Sequence, residues 1–135
     1  MTSKITYLGE LRTSAIHLQS GTEILSDAPT DNNGKGEAFS PTDMLATSLG
    51  SCMMTIMAIK AKDLKVDLVG STVGIIKAMQ TEPRRIGKIG IEMKMNATVS
   101  EKERLILERV AMNCPVYLSL NPAIEKEISF IWIKS

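Results

Sequence analysis

The chain has 135 residues, of which 44% are hydrophobic, 23% charged and 4% aromatic, with a net charge of +1. Length and apolar content fit one folded domain with its own core and exclude a disordered or low-complexity chain. The near-neutral charge and scarce aromatics remove the electrostatic and stacking grounds for binding nucleic acid or a membrane surface.

Met1 is followed by no apolar stretch of the kind that opens a secretion signal, so a cytoplasmic location is expected. Residues 4–27 read as antiparallel strands. Ile5 and Tyr7 alternate with Lys4, Thr6 and Leu8, and Gly9-Glu10 turns the chain. Residues 11–18 form a second strand, which carries Arg12 and His17. Gln19-Ser20-Gly21 is a turn, and residues 22–25 make a short third strand. The composition of residues 27–36 (DAPTDNNGKG) is that of a loop.

Ser40-Pro41-Thr42-Asp43 is a helix start. Ser40 caps a free N–H, Pro41 loses nothing at the first helical position, and Asp43 reaches back to the cap. The helix should run to about Lys62. No charge interrupts Met44 to Ile59, so burial on all faces is expected. That uncharged run is shorter than the roughly 20 apolar residues of a membrane span, and Thr47, Ser48, Ser51 and Thr55 lie within it.

Residues 66–80 read as strand, with bends at Gly70 and Gly74, and residues 81–85 as a turn. Residues 86–99 alternate most clearly. Ile89, Ile91, Met93, Met95 and Ala97 share one face, and Gly90, Glu92, Lys94, Asn96 and Thr98 the other. Ser100-x-x-Glu103 is a second capping box, opening a helix that ends near Asn113. Pro115 forces extended backbone on Cys114 and starts a short helix through about Leu120, which places Cys114 where a helix terminus favours a thiolate. Residues 128–133 are a final strand. The order βββ, long helix, ββ, helix, short helix, β describes a single α+β domain over residues 1–135 with a mostly antiparallel sheet.

The chemistry rests on few groups. Cys52 and Cys114 are 62 residues apart, with neither C-x-x-C nor zinc spacing, and His17 is the lone histidine, so no metal site is expected. Each cysteine reads either as a buried structural thiol or as a reactive one. A reactive thiolate needs a cation: Arg12 is the candidate, with Arg84 and Arg85 as alternatives on a turn.

Ser40-Pro41-Thr42-Asp43-Met44-Leu45, then Leu49-Gly50-Ser51-Cys52, and much later Asn113-Cys114-Pro115-Val116 with Ser119-Leu120, resemble the OsmC/Ohr family over essentially the whole chain. The resemblance implies an α+β fold of mostly antiparallel sheets around two central helices, assembled as an intertwined homodimer. It implies a thiol peroxidase that reduces organic hydroperoxides without metal, flavin or other cofactor. Cys52 would be the peroxidatic cysteine and Cys114 the resolving one, with an external dithiol or lipoyl-bearing protein as reductant. Arg12 would hold the thiolate and peroxide, and an acid would hold Arg12.

The family's hydroperoxide reductases carry Glu directly after the motif proline. Here that position is Thr42, and the acid falls one residue later at Asp43, about 100° further round a helix. Glu37 in the preceding loop is the other candidate acid. The glycine-rich segment that bears the family's arginine is absent, and Arg12 matches by position alone. Two other readings share the fold: a non-catalytic small-molecule or partner-binding module, and a thiol redox sensor.

Overall fold

The computed structural model describes residues 1–133. It resolves into two compact units, residues 1–45 and 46–135.

The first unit is a three-stranded antiparallel sheet of β1 (Ser3–Gly9), β2 (Arg12–His17) and β3 (Glu23–Asp27), in that order. Gly9, Glu10 and Leu11 all have positive φ, at 86°, 52° and 62°, so the β1–β2 turn is left-handed immediately before Arg12. Pairing runs from Ser3↔His17 to Tyr7↔Thr13 and shifts at a bulge before Gly9↔Arg12. The alternation in β1 does not mark a core face, because Ile5 is 65% exposed and Tyr7 63%. The residues that this unit buries are polar: Ser14, Ser26, Asp27 and Ser40.

The second unit holds the apolar core. Its sheet runs β4 (Thr72–Gln80), β5 (Arg85–Met95), β6 (Glu125–Trp132). The two-residue period of β5 appears as read: Ile89, Ile91, Met93, Met95 and Ala97 are buried, and Glu92, Lys94, Asn96 and Thr98 exposed. β4 pairs antiparallel with β5, but β6 pairs parallel with it. The reason is the crossover. Between β5 and β6 the chain passes through α2 (Glu101–Ala111) and α3 (Pro115–Ser119), and a return of that length re-enters the sheet in the same direction.

Residues 66–71, expected as strand, instead form turns. Val66 N–H donates to Ala61 O at 2.8 Å, and Ser71 N–H to Leu68 O at 3.0 Å. Asp67 also accepts from Val69 N–H at 2.9 Å, the local bonding by which Asp competes with a strand ladder. Gly70 bends the chain at φ 93°, whereas Gly74 lies inside β4.

Both helix starts form as their sequences require. Ser40 N–H donates to Asp43 Oδ2 and Asp43 N–H to Ser40 Oγ, each at 3.0 Å. Ser100 and Glu103 make the same reciprocal pair at 2.9 and 3.1 Å. The first start opens α1 (Pro41–Asp63). This helix is not buried on all faces. A stripe of Ala46, Leu49, Gly50, Met53, Met57 and Ala61 is buried, while Ser51, Thr55, Ala58 and Ile59 lie exposed on the opposite side. Gly50 sets how closely α1 approaches β4: a Cβ there would meet Ile75 Cδ1 at 2.5 Å and Val73 Cγ1 at 2.9 Å.

The apolar run also belongs to a longer helix than its uncharged core suggests. At 23 residues, with an 18-residue window of mean hydropathy 1.4, α1 is long and apolar enough to cross a membrane by length and composition alone. Its buried stripe is packed into the chain's own core.

Candidate functional site

The two cysteines lie in the second unit, on elements that the chain connects only through 62 residues. Cys52 sits in the middle of α1, next to the buried Met53 and partly exposed. Cys114 is fully buried and follows α2. Pro115 excludes helical geometry at Cys114, which is extended at φ −70° and ψ 153° and caps α3. Tyr117 N–H donates to Cys114 Sγ at 3.4 Å, and Leu118 N–H to Cys114 O at 3.1 Å.

The fold brings both free thiols to the core of the second unit: Cys114 is buried in it, and the partly exposed Cys52 packs against it. The cap position alone would favour a thiolate at Cys114, but burial works against it and wins. Desolvation pushes the Cys114 thiol above its ordinary value, the adjacent Cys52 pushes the same way, and the Tyr117 and Val116 N–H groups offset this only in part. Cys114 is therefore held neutral, while Cys52 is the thiol with access to solvent.

The charged residues expected at the site lie in the first unit. Arg12 does have an acid, and it is chiefly Asp27. Nε donates to Asp27 Oδ1 and Nη2 to Asp27 Oδ2, both at 2.7 Å. Glu37 is a second, longer partner at 3.4 Å from Nη2. Asp43 is bonded into the helix cap with Ser40. Arg12 and Asp27 are direct cross-strand partners between β2 and β3, and their charges fix one another. The Arg12 bond lowers the Asp27 carboxyl below its ordinary value, and the Asp27 bond raises the Arg12 guanidinium above its own. Outside this pair, Lys35 bridges to Glu10 at 2.7 Å.

Asp27 was not among the residues singled out from sequence, although a signal for it existed. Counting back from the Gln19–Gly21 turn, β2 and β3 pair from Ile16↔Glu23 and so reach Arg12↔Asp27. His17 is exposed and bonds Ser20 through Nδ1 at 2.6 Å. Arg84 is an exposed turn residue and Arg85 opens β5. Among the described residues, no cluster of three or more His, Cys, Asp or Glu could hold a metal ion.

Residues 34–129 match the family model described as OsmC-like protein. No curated protein matches the sequence. Among solved structures, the chain is similar to a protein of Psychrobacter arcticus 273-4, described as an osmotic stress induced and detoxification response protein. The identity is 51% and the TM-score 0.93, over 96% of this chain and 95% of that one. An OsmC-like protein of Mycoplasma pneumoniae superposes with a TM-score of 0.80 at 15% identity, over 97% and 95% of the two chains. An organic hydroperoxide resistance protein of Elizabethkingia anophelis does so at 0.71 and 14%, over 100% and 97%. The match over residues 34–129 and the relative at 51% identity place this chain in the OsmC-like protein family.

Proposed function

We propose that this protein is a thiol peroxidase that reduces organic hydroperoxides by a two-cysteine cycle. The observation that carries this reading is the pair of free thiols that separate elements bring to one core, Cys114 buried in it and Cys52 partly exposed against it. In the cycle, the Cys52 thiolate attacks the outer peroxide oxygen, and the O–O bond breaks. The alkoxide leaves and takes a proton as the alcohol, and Cys52 becomes a sulfenic acid. Cys114 then attacks that sulfur, water leaves, and a disulfide forms. An external dithiol, of which a lipoyl-bearing protein is the expected example, supplies two electrons and two protons to restore both thiols. The order of attack follows from access and charge: Cys114 is buried and held neutral, and Cys52 meets solvent. Arg12 is the cation proposed to serve the Cys52 thiolate.

The protein would act as a homodimer in the cytoplasm, where both thiols start reduced. The apolar residues exposed on β1 and on the outer side of α1, Ile5, Tyr7, Leu8 and Ile59 among them, support coverage by a second copy. The detoxification role named for the Psychrobacter relative supports the same reading.

The test is consumption of cumene or tert-butyl hydroperoxide by purified protein with a dithiol. Wild type should turn over repeatedly, Cys52→Ser should be inactive, and Cys114→Ser should react once and stop. Iodoacetamide at neutral pH should label Cys52 and spare Cys114 until the chain is unfolded. A wild type that is inert with both dithiol and lipoyl donors would sink the proposal. Stoichiometric disulfide formation without turnover would indicate a redox sensor instead.

A further inference from the structure

The acid that holds Arg12 comes from a strand, not from the start of α1. Thr42 stands where the family's glutamate is expected, and Asp43 is engaged with the Ser40 backbone. Asp27 engages the guanidinium along its Nε–Nη2 edge with two bonds of 2.7 Å. It is itself held: Glu37 N–H donates to Asp27 Oδ2 at 3.1 Å, and Asp27 N–H donates to Phe39 O at 3.1 Å. The Asp27 side chain is fully buried, Arg12 is 24% exposed and Glu37 is 64% exposed. A buried, doubly bonded carboxylate fixes direction, whereas a single exposed contact at 3.4 Å does not.

We propose that Asp27 is a positioning residue that acts through Arg12: it grips one edge of the guanidinium and leaves Nη1 to be presented to an anionic reactant. The inference rests on the peroxidase reading for what that reactant is, a thiolate or a peroxide oxygen. Among the described residues Nη1 has no hydrogen-bond partner.

Geometry and charge make opposite predictions here. Asp27→Asn removes a negative charge beside Arg12, which by charge alone should strengthen the attraction of Arg12 for a thiolate. The same change puts an amide N–H₂ against a guanidinium N–H, so one of the two bonds is lost and the fork turns.

The experiment compares kcat/KM for tert-butyl hydroperoxide, with a dithiol at neutral pH, across wild type, Asp27→Asn, Arg12→Met, their double variant and Arg12→Lys. Circular dichroism confirms folding. Asp27→Asn and Arg12→Met should each lose about tenfold to hundredfold, the scale of a misplaced reacting group. The double variant should lose no more than Arg12→Met alone, because Asp27 acts only through Arg12. Arg12→Lys keeps the charge but not the fork, and should lose at least about tenfold.

An Asp27→Asn rate equal to or above wild type overturns the proposal, as does a loss that adds in full to that of Arg12→Met. Should Asp27→Asn fail to fold, Arg12→Lys decides, and a wild-type rate for it overturns the proposal. If wild type shows no turnover, the peroxidase reading fails by itself. The clamp is then tested by Cys52 alkylation rates in the same proteins: the same non-additive pattern supports it, and unchanged or additive rates overturn it.

Discussion

Replacing Gly50 by valine would test the packing that positions Cys52. A Cβ on Gly50 would lie 2.5 Å from Ile75 Cδ1 and 2.9 Å from Val73 Cγ1. The Ile75 methyl ends a flexible side chain and can swing away. The Val73 methyl sits on a β-branched side chain with few rotamers, so α1 or β4 must move instead. Overpacking of this kind costs about 1–3 kcal/mol. Valine recovers roughly 0.4 kcal/mol through its better helix propensity than glycine. The net is a loss of about 0.6–2.6 kcal/mol, or about 2–9 °C in melting temperature for a chain of this size.

Gly74→Ala is the control, since its Cβ would come no closer than 3.9 Å to Glu92. It should stay within about 0.5 kcal/mol of wild type, as exposed substitutions usually do. Thermal melts of the three proteins at one concentration provide the comparison. Because Cys52 lies two residues beyond Gly50, the valine variant should also form the Cys52–Cys114 disulfide more slowly after one equivalent of peroxide. A Gly50→Val protein as stable as Gly74→Ala would refute the close approach of α1 to β4.

Ser100→Ala should cost about 1 kcal/mol, because Glu103 N–H loses its acceptor at the start of α2; urea unfolding followed by circular dichroism measures it. Acid should weaken the Arg12–Asp27 clamp. Arg12 lowers the Asp27 carboxyl in the folded chain, so its contribution is present above the ordinary value of 3.8 and is lost as pH falls through the folded value. The stability gap between wild type and Asp27→Asn should therefore narrow from pH 7 to pH 3. A gap that is constant over that range would show that the pair is not linked to folding.

What was legible in the sequence was local. Ser40 with Asp43, Ser100 with Glu103, and Pro115 after Cys114 are each written within four residues, and each forms as read. The β5 alternation was equally plain, because a half-buried strand repeats every two residues. The features that escaped depend on distant partners. The direction of β6 is set by a crossover, and no residue of the strand records it. The partial exposure of α1 could not be read either, since an uncharged helix has the same composition whether one side or every side is covered. The Asp27 pairing was hidden for a different reason: the DAPTDNNGKG composition marked Asp27 as the start of a loop, although it closes β3 opposite Arg12.

The relocation of that carboxylate bears on the reading of Thr42. A threonine where the family's hydroperoxide reductases have glutamate would argue for a lost active site if the helix start were the sole source of an acid. It is not the sole source, because Arg12 already has two charge-assisted bonds to a buried carboxylate one strand away. A glutamate added at position 42 would have to compete with that engaged edge, and it would sit beside an acid already used in the cap, Asp43. Thr42→Glu should therefore leave peroxide turnover unchanged in the wild-type background, while restoring part of it when combined with Asp27→Asn. Restoration would mean that the chain kept the arginine's orientation and changed only which element supplies it. A double variant as slow as Asp27→Asn, with the single variant active, would tie the arginine to β3 alone.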